Sequence, residues 1–244
     1  MMVSVCIATH NGEKYLLDQI DSILNQLNEN DEVIVCDDCS SDNTVKILNS
    51  FSDSRLRIYC NSSRLGHVQN FAKAISYAKG AIVFLSDQDD VWLPGRYPLM
   101  IKHLHQNPLV NMVASNFALI DEHGNAIGRF NKLVPGIGKR WPRILTIFLG
   151  QMPYYGCTFA FKRELIPSIL PIPPRIESHD IWIALLANFL GAVENLDAET
   201  LCRRIHASNL TSKTRRPLLL ILKSRGIFLY EFFKRSLKFS YHKK

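Results

Sequence analysis

Three carboxylates within four residues, Asp87, Asp89 and Asp90, close the apolar run AIVFLS at residues 81–86. Carboxylates this close repel one another unless water or a cation sits among them. Oxygen ligands of this kind suit Mg²⁺ or Mn²⁺, which also take the oxygens of a diphosphate. Asp87 and Asp89 stand two residues apart, so both side chains can be presented at one turn. A solvated acidic turn is the alternative, because so short a motif also arises by chance. Its place directly after a hydrophobic run, with Val91 and Trp92 next, favours a site. A second cluster, DDCSSDNT at residues 37–44, again follows an apolar run. There Asp37 and Asp38 can accept hydrogen bonds from a nucleobase N–H or a ribose hydroxyl, while Ser41 or Asp42 can cap a following helix. Cys36 and Cys39 have a CxxC spacing, but no second CxxC or suitably spaced histidine pair completes a zinc site. Buried or incidental thiols are expected.

Those acids need elements to hold them. Val3–Thr9 (VSVCIAT), Glu32–Asp37 (EVIVCD), Leu56–Cys60 and residues 81–86 read as short buried strands. Helical spacing appears between them: at Tyr15, Leu16, Ile20, Ile23 and Leu24, over residues 45–51, and at Val68, Phe71, Ala72, Ile75 and Ala78. Alternating strands and helices imply parallel pairing with helices on both faces. Ligands of such sheets bind at the carboxyl ends of the strands, where THNGE (9–13), DDCSSDNT and SDQDD (86–90) all fall. Farther on, residues 110–121 can supply strands, residues 122–143 read as an irregular loop, and residues 155–162 form another strand candidate. His179–Leu190 reads as a helix with Ile181, Trp182, Leu185, Leu186, Phe189 and Leu190 on one face, stopped by Gly191. Trp92 and Trp182 can stack on a sugar or belong to the core.

A chain of 244 residues with 47% apolar content can bury one substantial core. Six dispersed cysteines and no basic-then-apolar leader lead us to expect a reducing, cytoplasmic setting. The net charge of +7 is unevenly placed. Residues 213–244 hold ten Lys or Arg and one acid, for +9, and the rest of the chain carries −2. We therefore divide the chain into a domain at 1–212 and a basic tail at 213–244. In that tail, the apolar run 218–222 and the largely apolar segment 227–233, interrupted by Glu231, alternate with Lys223, Arg225, Lys234, Arg235 and Lys238, before His242, Lys243 and Lys244. Such a run is far short of the ~20 apolar residues a membrane span needs, and an amphipathic helix lying on an anionic membrane surface is the expectation. The alternative is an apolar side packed on the domain or on a second subunit. Nucleic acid is not expected as a partner, since a phosphate-tracking helix has no use for so many leucines and phenylalanines.

VSVCIATHNGEKYL, IVCDDCSSDNT and FLSDQDDVW, in that order and at these distances, resemble the amino-terminal half of family 2 glycosyltransferases. YYGCTFAFKRE resembles the family's glycine loop, ESHDIWIALLANFLG the segment with its catalytic aspartate, and RRIHASN its Arg-x-His-x-x-Asn element. The likeness runs over roughly residues 3 to 209. It implies an α/β, single-domain A-type glycosyltransferase fold with a mostly parallel central sheet flanked by helices, here followed by a C-terminal basic amphipathic helix. It also implies an inverting, Mn²⁺- or Mg²⁺-dependent transfer of a sugar from a nucleoside diphosphate donor to a hydroxyl of a glycan or lipid-linked acceptor. Thr9, Asn11 and Glu13 would lie near the base or ribose, Asp38 on the base, and Arg64 near the base or phosphates. Asp87 would hold ribose or metal-bound water, Asp89 and His206 would bind the metal, and Asp180 would be the general base, with Glu177 and His179 as competitors or a helix-cap role as the alternative. His10 replaces a frequent tyrosine, and Cys39 a common glycine. SDQDDVW with SHDIWIALLA is similar to a bacterial rhamnosyltransferase-like subgroup of surface polysaccharide assembly. The donor expected is thus dTDP-rhamnose ahead of a UDP-hexose, and the location the inner face of the cell membrane. A dehydrogenase would need a glycine fingerprint where THNGEKY has only Gly12, and a nucleotidyltransferase a glycine- and base-rich loop there. A non-catalytic nucleotide- or membrane-binding protein of the same fold is the remaining alternative, and the retained Asp87, Asp89 and Asp180 argue against it.

Overall fold

The computed structural model describes residues 1–130, 133–207, 209 and 217–241. Its first half alternates strand and helix: β1 (Val3–Thr9), α1 (Leu16–Leu24), β2 (Glu32–Asp37), α2 (Thr44–Ser50), β3 (Leu56–Cys60), α3 (His67–Tyr77) and β4 (Ile82–Ser86). Then come β5 (Val91–Trp92), α4 (Arg96–Gln106), β6 (Val110–Ile120), β7 (Ala126–Phe130), β8 (Gly136–Ile137) and α5 (Arg140–Phe148). The chain finishes with β9 (Phe159–Lys162), α6 (Ile166–Ile169), α7 (His179–Leu190), β10 (Ala192–Arg204) and α8 (Leu218–Tyr241).

One sheet runs β3-β2-β1-β4-β9-β6-β10-β5, with β7 on β6 and β8 on β10. The first four strands are parallel, as their crossover helices require. Beyond them β9 lies antiparallel to both β4 and β6, β10 is parallel to β6, and β5 is antiparallel to β10. The sheet is therefore mixed rather than mostly parallel. A short return strand needs no crossover and slots between two parallel groups. The register pairs Thr9 with Asp37 and Ile7 with Ser86, so the carboxyl ends of β1, β2 and β4 share one edge.

Side chains alternate across this sheet. Val5, Ile7, Val33 and Phe84 face a layer built from α1, α2 and α4. Cys6, Ala8, Cys36 and Leu85 face the opposite layer, where α3, α5 and α7 pack with Phe228 and Phe232 of α8. Each large side chain fully buried here, such as Trp182, Phe71 or Phe161, contributes about 1.5–3 kcal/mol. The two tryptophans accordingly belong to the core: Trp92 is 3% exposed and Trp182 has no exposed surface. Their ring N–H groups are bonded to Ser86 Oγ at 3.1 Å and Ile169 O at 2.9 Å.

Residues 122–143 are more ordered than an irregular loop, for they hold β7, β8 and the start of α5. β7 is almost wholly exposed and needs only the backbone ladder to β6, so no apolar alternation marks it. Helix α4, hidden in sequence by Pro94 and Pro98, starts after Gly95 in the left-handed region at φ 85°. The thirteen-residue β10 is interrupted by register shifts against β6, which break its period-two pattern.

Gly80 sets how closely the α3–β4 turn can approach β1. A Cβ there would lie 2.5 Å from Ser4 N and 2.6 Å from Val3 C, both backbone atoms that cannot rotate away. Gly80→Ala is expected to lower unfolding stability by about 1–3 kcal/mol, the range for overpacking. An unchanged urea midpoint would show that the turn is more pliable than its packing indicates.

Candidate active site

At the shared edge, three strand-end loops are tied together before any ligand is considered. Asn11 Oδ1 accepts from Ser41 N at 2.9 Å, and Glu13 Oε2 accepts from Asn43 N and Nδ2, each at 2.8 Å. Thr9 is buried and gives its hydroxyl to Asp37 Oδ1 at 3.0 Å. Asp42 Oδ1 accepts from Thr44 N at 3.0 Å just ahead of α2, whose N-cap position is Asn43. Asn11 and Cys39 both take positive φ, 49° and 58°. That conformation suits glycine best and explains why a glycine is common where Cys39 stands. All six cysteines are free in the structure, with Cys36 buried and Cys39 exposed.

Asp38 is only 3% exposed and accepts three hydrogen bonds, from Leu65 N (2.7 Å), Gly66 N (2.8 Å) and Asn61 Nδ2 (2.8 Å). Burial works to raise its pKa, but these donors win and hold it below the usual carboxylate range. Its carboxylate thereby fixes the loop after β3, on which Arg64 stands exposed. His10 Nδ1 lies 2.8 Å from Asp38 O, and Gln88, between the two aspartates of the DQD run, bridges to the His10 backbone through N at 2.8 Å and O at 3.2 Å.

The acids form a second group beside this one. Asp87 is half-buried, and burial, then Asp89 and Asp180, push its pKa up to about 6. Asp90 is 2% exposed, with its pKa driven well up by burial and by Asp89 and Asp87. Its Oδ1 accepts Arg204 N at 3.2 Å, while buried Oδ2 has no well-formed hydrogen bond among the described residues, with the Cys157 thiol nearby. Asp89 Oδ2 lies 2.8 Å from His206 Nε2 and 3.3 Å from Asn209 Nδ2. Sequence reasoning named the Arg-x-His-x-x-Asn element but selected only its histidine. Arg204 also donates to Asp89 O at 3.1 Å and lies 4.6 Å from the centre of the Tyr15 ring, which His206 approaches at 4.9 Å. Ser208 of that element lies outside the described residues.

Asp180 stands in the first turn of α7, but Ser178 caps that helix by accepting Ile181 N at 3.2 Å. The aspartate is thus free of a capping duty. Its Oδ1 is 2.7 Å from His179 Nε2. Burial works to raise the Asp180 pKa, and His179, His67 and the Gly156 N–H outweigh it, so the carboxyl is held low and ionised. Gly156 must be glycine for this approach, because a Cβ would lie 2.5 Å from His179 Nε2 and 2.9 Å from Asp180 Oδ1. Of the competing bases, His179 is 2% exposed and stacked on Phe71 at 4.2 Å, and Glu177 is exposed, with a 3.4 Å contact from Ser224 of α8.

The fold brings Asp87, Asp89, His206 and Asp180 into one acidic centre, with Thr9, Asn11, Glu13 and Asp38 along the adjoining edge. The glycosyl transferase family 2 profile matches residues 4–169. The chain belongs to that family. Among curated relatives, this family 2 glycosyltransferase is 30% identical over 195 residues to the UDP-Glc:alpha-D-GlcNAc-diphosphoundecaprenol beta-1,3-glucosyltransferase WfgD of Escherichia coli, covering 76% of this chain and 70% of WfgD. It is 26% identical over 234 residues to WfaP, a glucosyltransferase of the same designation from that organism, covering 93% of this chain and 87% of WfaP. Among solved structures, S. aureus TarS with UDP-GlcNAc superposes with a TM-score of 0.73 at 17% identity, over 98% of this chain and 73% of that one. The TarS complex with UDP gives 0.69 at 18% identity, over 84% of this chain and 61% of TarS. These likenesses establish the A-type glycosyltransferase fold.

The acidic centre suits a divalent cation: Asp90 leaves a buried oxygen without a hydrogen-bond partner among the described residues, and burial beside Asp89 and Asp180 pushes the Asp87 pKa up to about 6. Asp87, Asp90 and Cys157 have donor atoms within 4.8 Å of one another. Burial, then Asp90 and Asp87, keep the Cys157 thiol protonated, which disfavours it as a ligand beside carboxylates. Asp89 and His206 supply an oxygen and a nitrogen that are more exposed to solvent than Asp90 or Cys157.

With a folded-state pKa of about 6 against 3.8, Asp87 keeps a proton that the unfolded chain has lost over that pH window. The stability this lends is full below about pH 4 and disappears as pH rises through 6. In divalent-free buffer, Asp87→Asn should therefore be more stable than the parent at pH 7, by up to about 3 kcal/mol, with the gap closing toward pH 4. Denaturant midpoints across that range check it; a gap that widens on acidification would be the wrong sign.

Proposed function

We propose that the protein transfers a hexose, with inversion, from a UDP-sugar to a hydroxyl of a lipid-linked glycan precursor. The observation that carries this reading is the acidic centre itself: Asp87 and Asp89 at the end of β4 facing Asp180 at the start of α7. The two E. coli relatives are named for UDP-glucose and a diphosphoundecaprenol-linked acceptor. Their names favour a UDP-hexose over dTDP-rhamnose, the donor expected from the subgroup resemblance.

In this reading the edge built from Thr9, Asn11 and Glu13 receives the base and ribose, Asp38 holds the loop that closes over them, and Arg64 approaches the phosphates. Asp87 lies toward the ribose. Asp89 and His206 would hold Mn²⁺ or Mg²⁺, which when bound supplies positive charge opposite the leaving diphosphate. Asp180 takes the proton of the acceptor hydroxyl as that oxygen attacks the anomeric carbon, and the bond to the nucleoside diphosphate breaks on the far side. One displacement inverts the anomeric configuration. The base begins ionised because His179 and the Gly156 N–H favour its charged form. A lipid-linked acceptor puts the reaction at a membrane, and a peripheral position on its inner face follows from the same proposal.

Asp89→Asn is expected to abolish the Mn²⁺-dependent rise in melting temperature that UDP induces, with the fold intact by circular dichroism. A retained Mn²⁺-dependent shift would remove Asp89 from the metal site, and a larger shift with dTDP would reverse the donor assignment.

Asp180→Asn should lower turnover by roughly a hundredfold or more with little change in donor affinity, the pattern of a lost general base. Near-normal turnover, or a product of retained configuration, would refute this mechanism.

A further inference from the structure

The tail does not hang free of the domain. On its inner side Phe228 and Phe232 of α8 are 2% and 3% exposed in the main core, and Arg235 donates to Ser168 O at 2.6 Å and Leu170 O at 3.0 Å. The outer side is a different surface. Leu222, Leu229 and Phe233 are 59%, 43% and 56% exposed, and their i, i+7, i+11 spacing sets them in one stripe. Next to that stripe on the helix, Phe232 meets Phe148 of α5 at 5.9 Å and Arg225 donates to Ile147 O at 3.2 Å. Helix α5 therefore runs beside the stripe. It presents its own: Trp141, Leu145 and Leu149, spaced by four residues and 62%, 59% and 59% exposed. Of the seventeen large apolar side chains exposed among the described residues, ten lie on α5, at its C-cap or on α8, so the apolar surface is gathered on one pair of neighbouring helices. Patches of that kind mark interaction sites.

Charge tells which partner fits. Lys223 and Lys234 stand exposed on the far flank of α8, and Lys139 and Arg140 at the start of α5. Helix α5 has no acid, and α8 has only Glu231. A second copy docked through the same face about a two-fold axis would set these cations against themselves, which like-charge repulsion disfavours. An anionic bilayer opposes them with negative charge, takes leucines into its acyl boundary and seats exposed Trp and Tyr at the headgroup level. No described helix is long and apolar enough to cross a membrane, so the pair would lie on it.

We propose that α5 and α8 together form a rigid docking face for an anionic lipid bilayer, with Trp141 entering the interface. The inference does not depend on the transfer chemistry, since it concerns a surface apart from the acidic centre. Residues 213–216 and 242–244, which carry further basic groups, lie outside the described residues.

Tryptophan fluorescence tests it directly, because Trp92 and Trp182 are buried and Trp141 alone is exposed. The full chain at physiological salt is titrated with vesicles of phosphatidylglycerol and phosphatidylcholine, and with phosphatidylcholine alone. A blue shift and co-sedimentation with the anionic vesicles are expected, the shift vanishing in Trp141→Phe. Leu145→Asp and Phe233→Asp should each weaken vesicle affinity at least tenfold with unchanged circular dichroism. The absence of both shift and sedimentation in the parent protein overturns the proposal, a measurement that needs no variant to fold. Full affinity in Leu145→Asp overturns the part given to α5. A dimer in light scattering that Leu145→Asp dissociates, with no vesicle binding, assigns the face to a second copy instead.

Discussion

Repulsion among carboxylates at the end of buried strands is the constraint on which this protein is built. Asp87, Asp89 and Asp90 are fixed there because β4 is a central strand with no freedom to splay, and Asp180 is added from α7 on the facing side. The surroundings answer with positive or proton-donating groups. Arg204 touches Asp89 and Asp90 through its side chain and backbone, His206 faces Asp89, His179 faces Asp180, and Arg203 is the cation near Asp87 and Asp90. The charge remains incompletely balanced, as the raised pKa of about 6 at Asp87 and the Asp90 oxygen without a hydrogen-bond partner among the described residues record. A centre left in that state has free energy to gain from a cation and a polyphosphate, and gives up intrinsic stability to keep it.

Holding such a centre requires the second half of the sheet to be rigid, and buried arginines supply much of that rigidity. Arg96, 1% exposed at the start of α4, donates to Thr200 Oγ1 of β10 and to Cys157 O at 2.7 Å, and stacks 4.8 Å from the Trp92 ring. Burial lowers its pKa to about 10, still well above neutrality, so the charge persists. It thereby joins the segment carrying Gly156 to the strand that ends at Arg204, two residues before His206. Arg143 ties α5 to β8 and β10 in the same manner, through Val193 O and Gly136 O. A planar fork with five donors can satisfy several carbonyls at once, which a lysine cannot.

The two faces of the molecule divide its tasks. One layer of helices, α1, α2 and α4, covers the sheet and anchors the bracing Arg96. The other does more, because α7 both fills the core with Trp182 and Leu185 and delivers Asp180, while α5 and α8 extend the layer outward to the apolar, basic surface. Asp180 and the apolar, basic surface are thus joined through one packed layer.

By itself the sequence determined everything that rests on local pattern. The boundaries of β1, β2, β3 and α7 match the structure, because each is a short apolar run or a helical spacing closed by polar or glycine residues. Helix α7, however, is buried all round from Trp182 to Asn188 rather than on one face, and β3 at the sheet edge is only partly buried. The acidic and Arg-x-His-x-x-Asn motifs were legible for the same reason: their chemistry lies in contiguous residues. Only the tertiary structure decided the rest. The strand candidate at 155–162 holds β9, but its antiparallel place between β4 and β6 was set by packing. The exposed β7 and interrupted β10 draw their stability from neighbours far along the chain, so no local period announces them. The sequence likewise could not tell that Asp38 is saturated by Leu65, Gly66 and Asn61, that Ser178 rather than Asp180 caps α7, or that Gln88 braces His10. Hydrogen-bond partners are chosen by proximity in space, and proximity across 23 to 78 residues is set by the packing of the whole sheet.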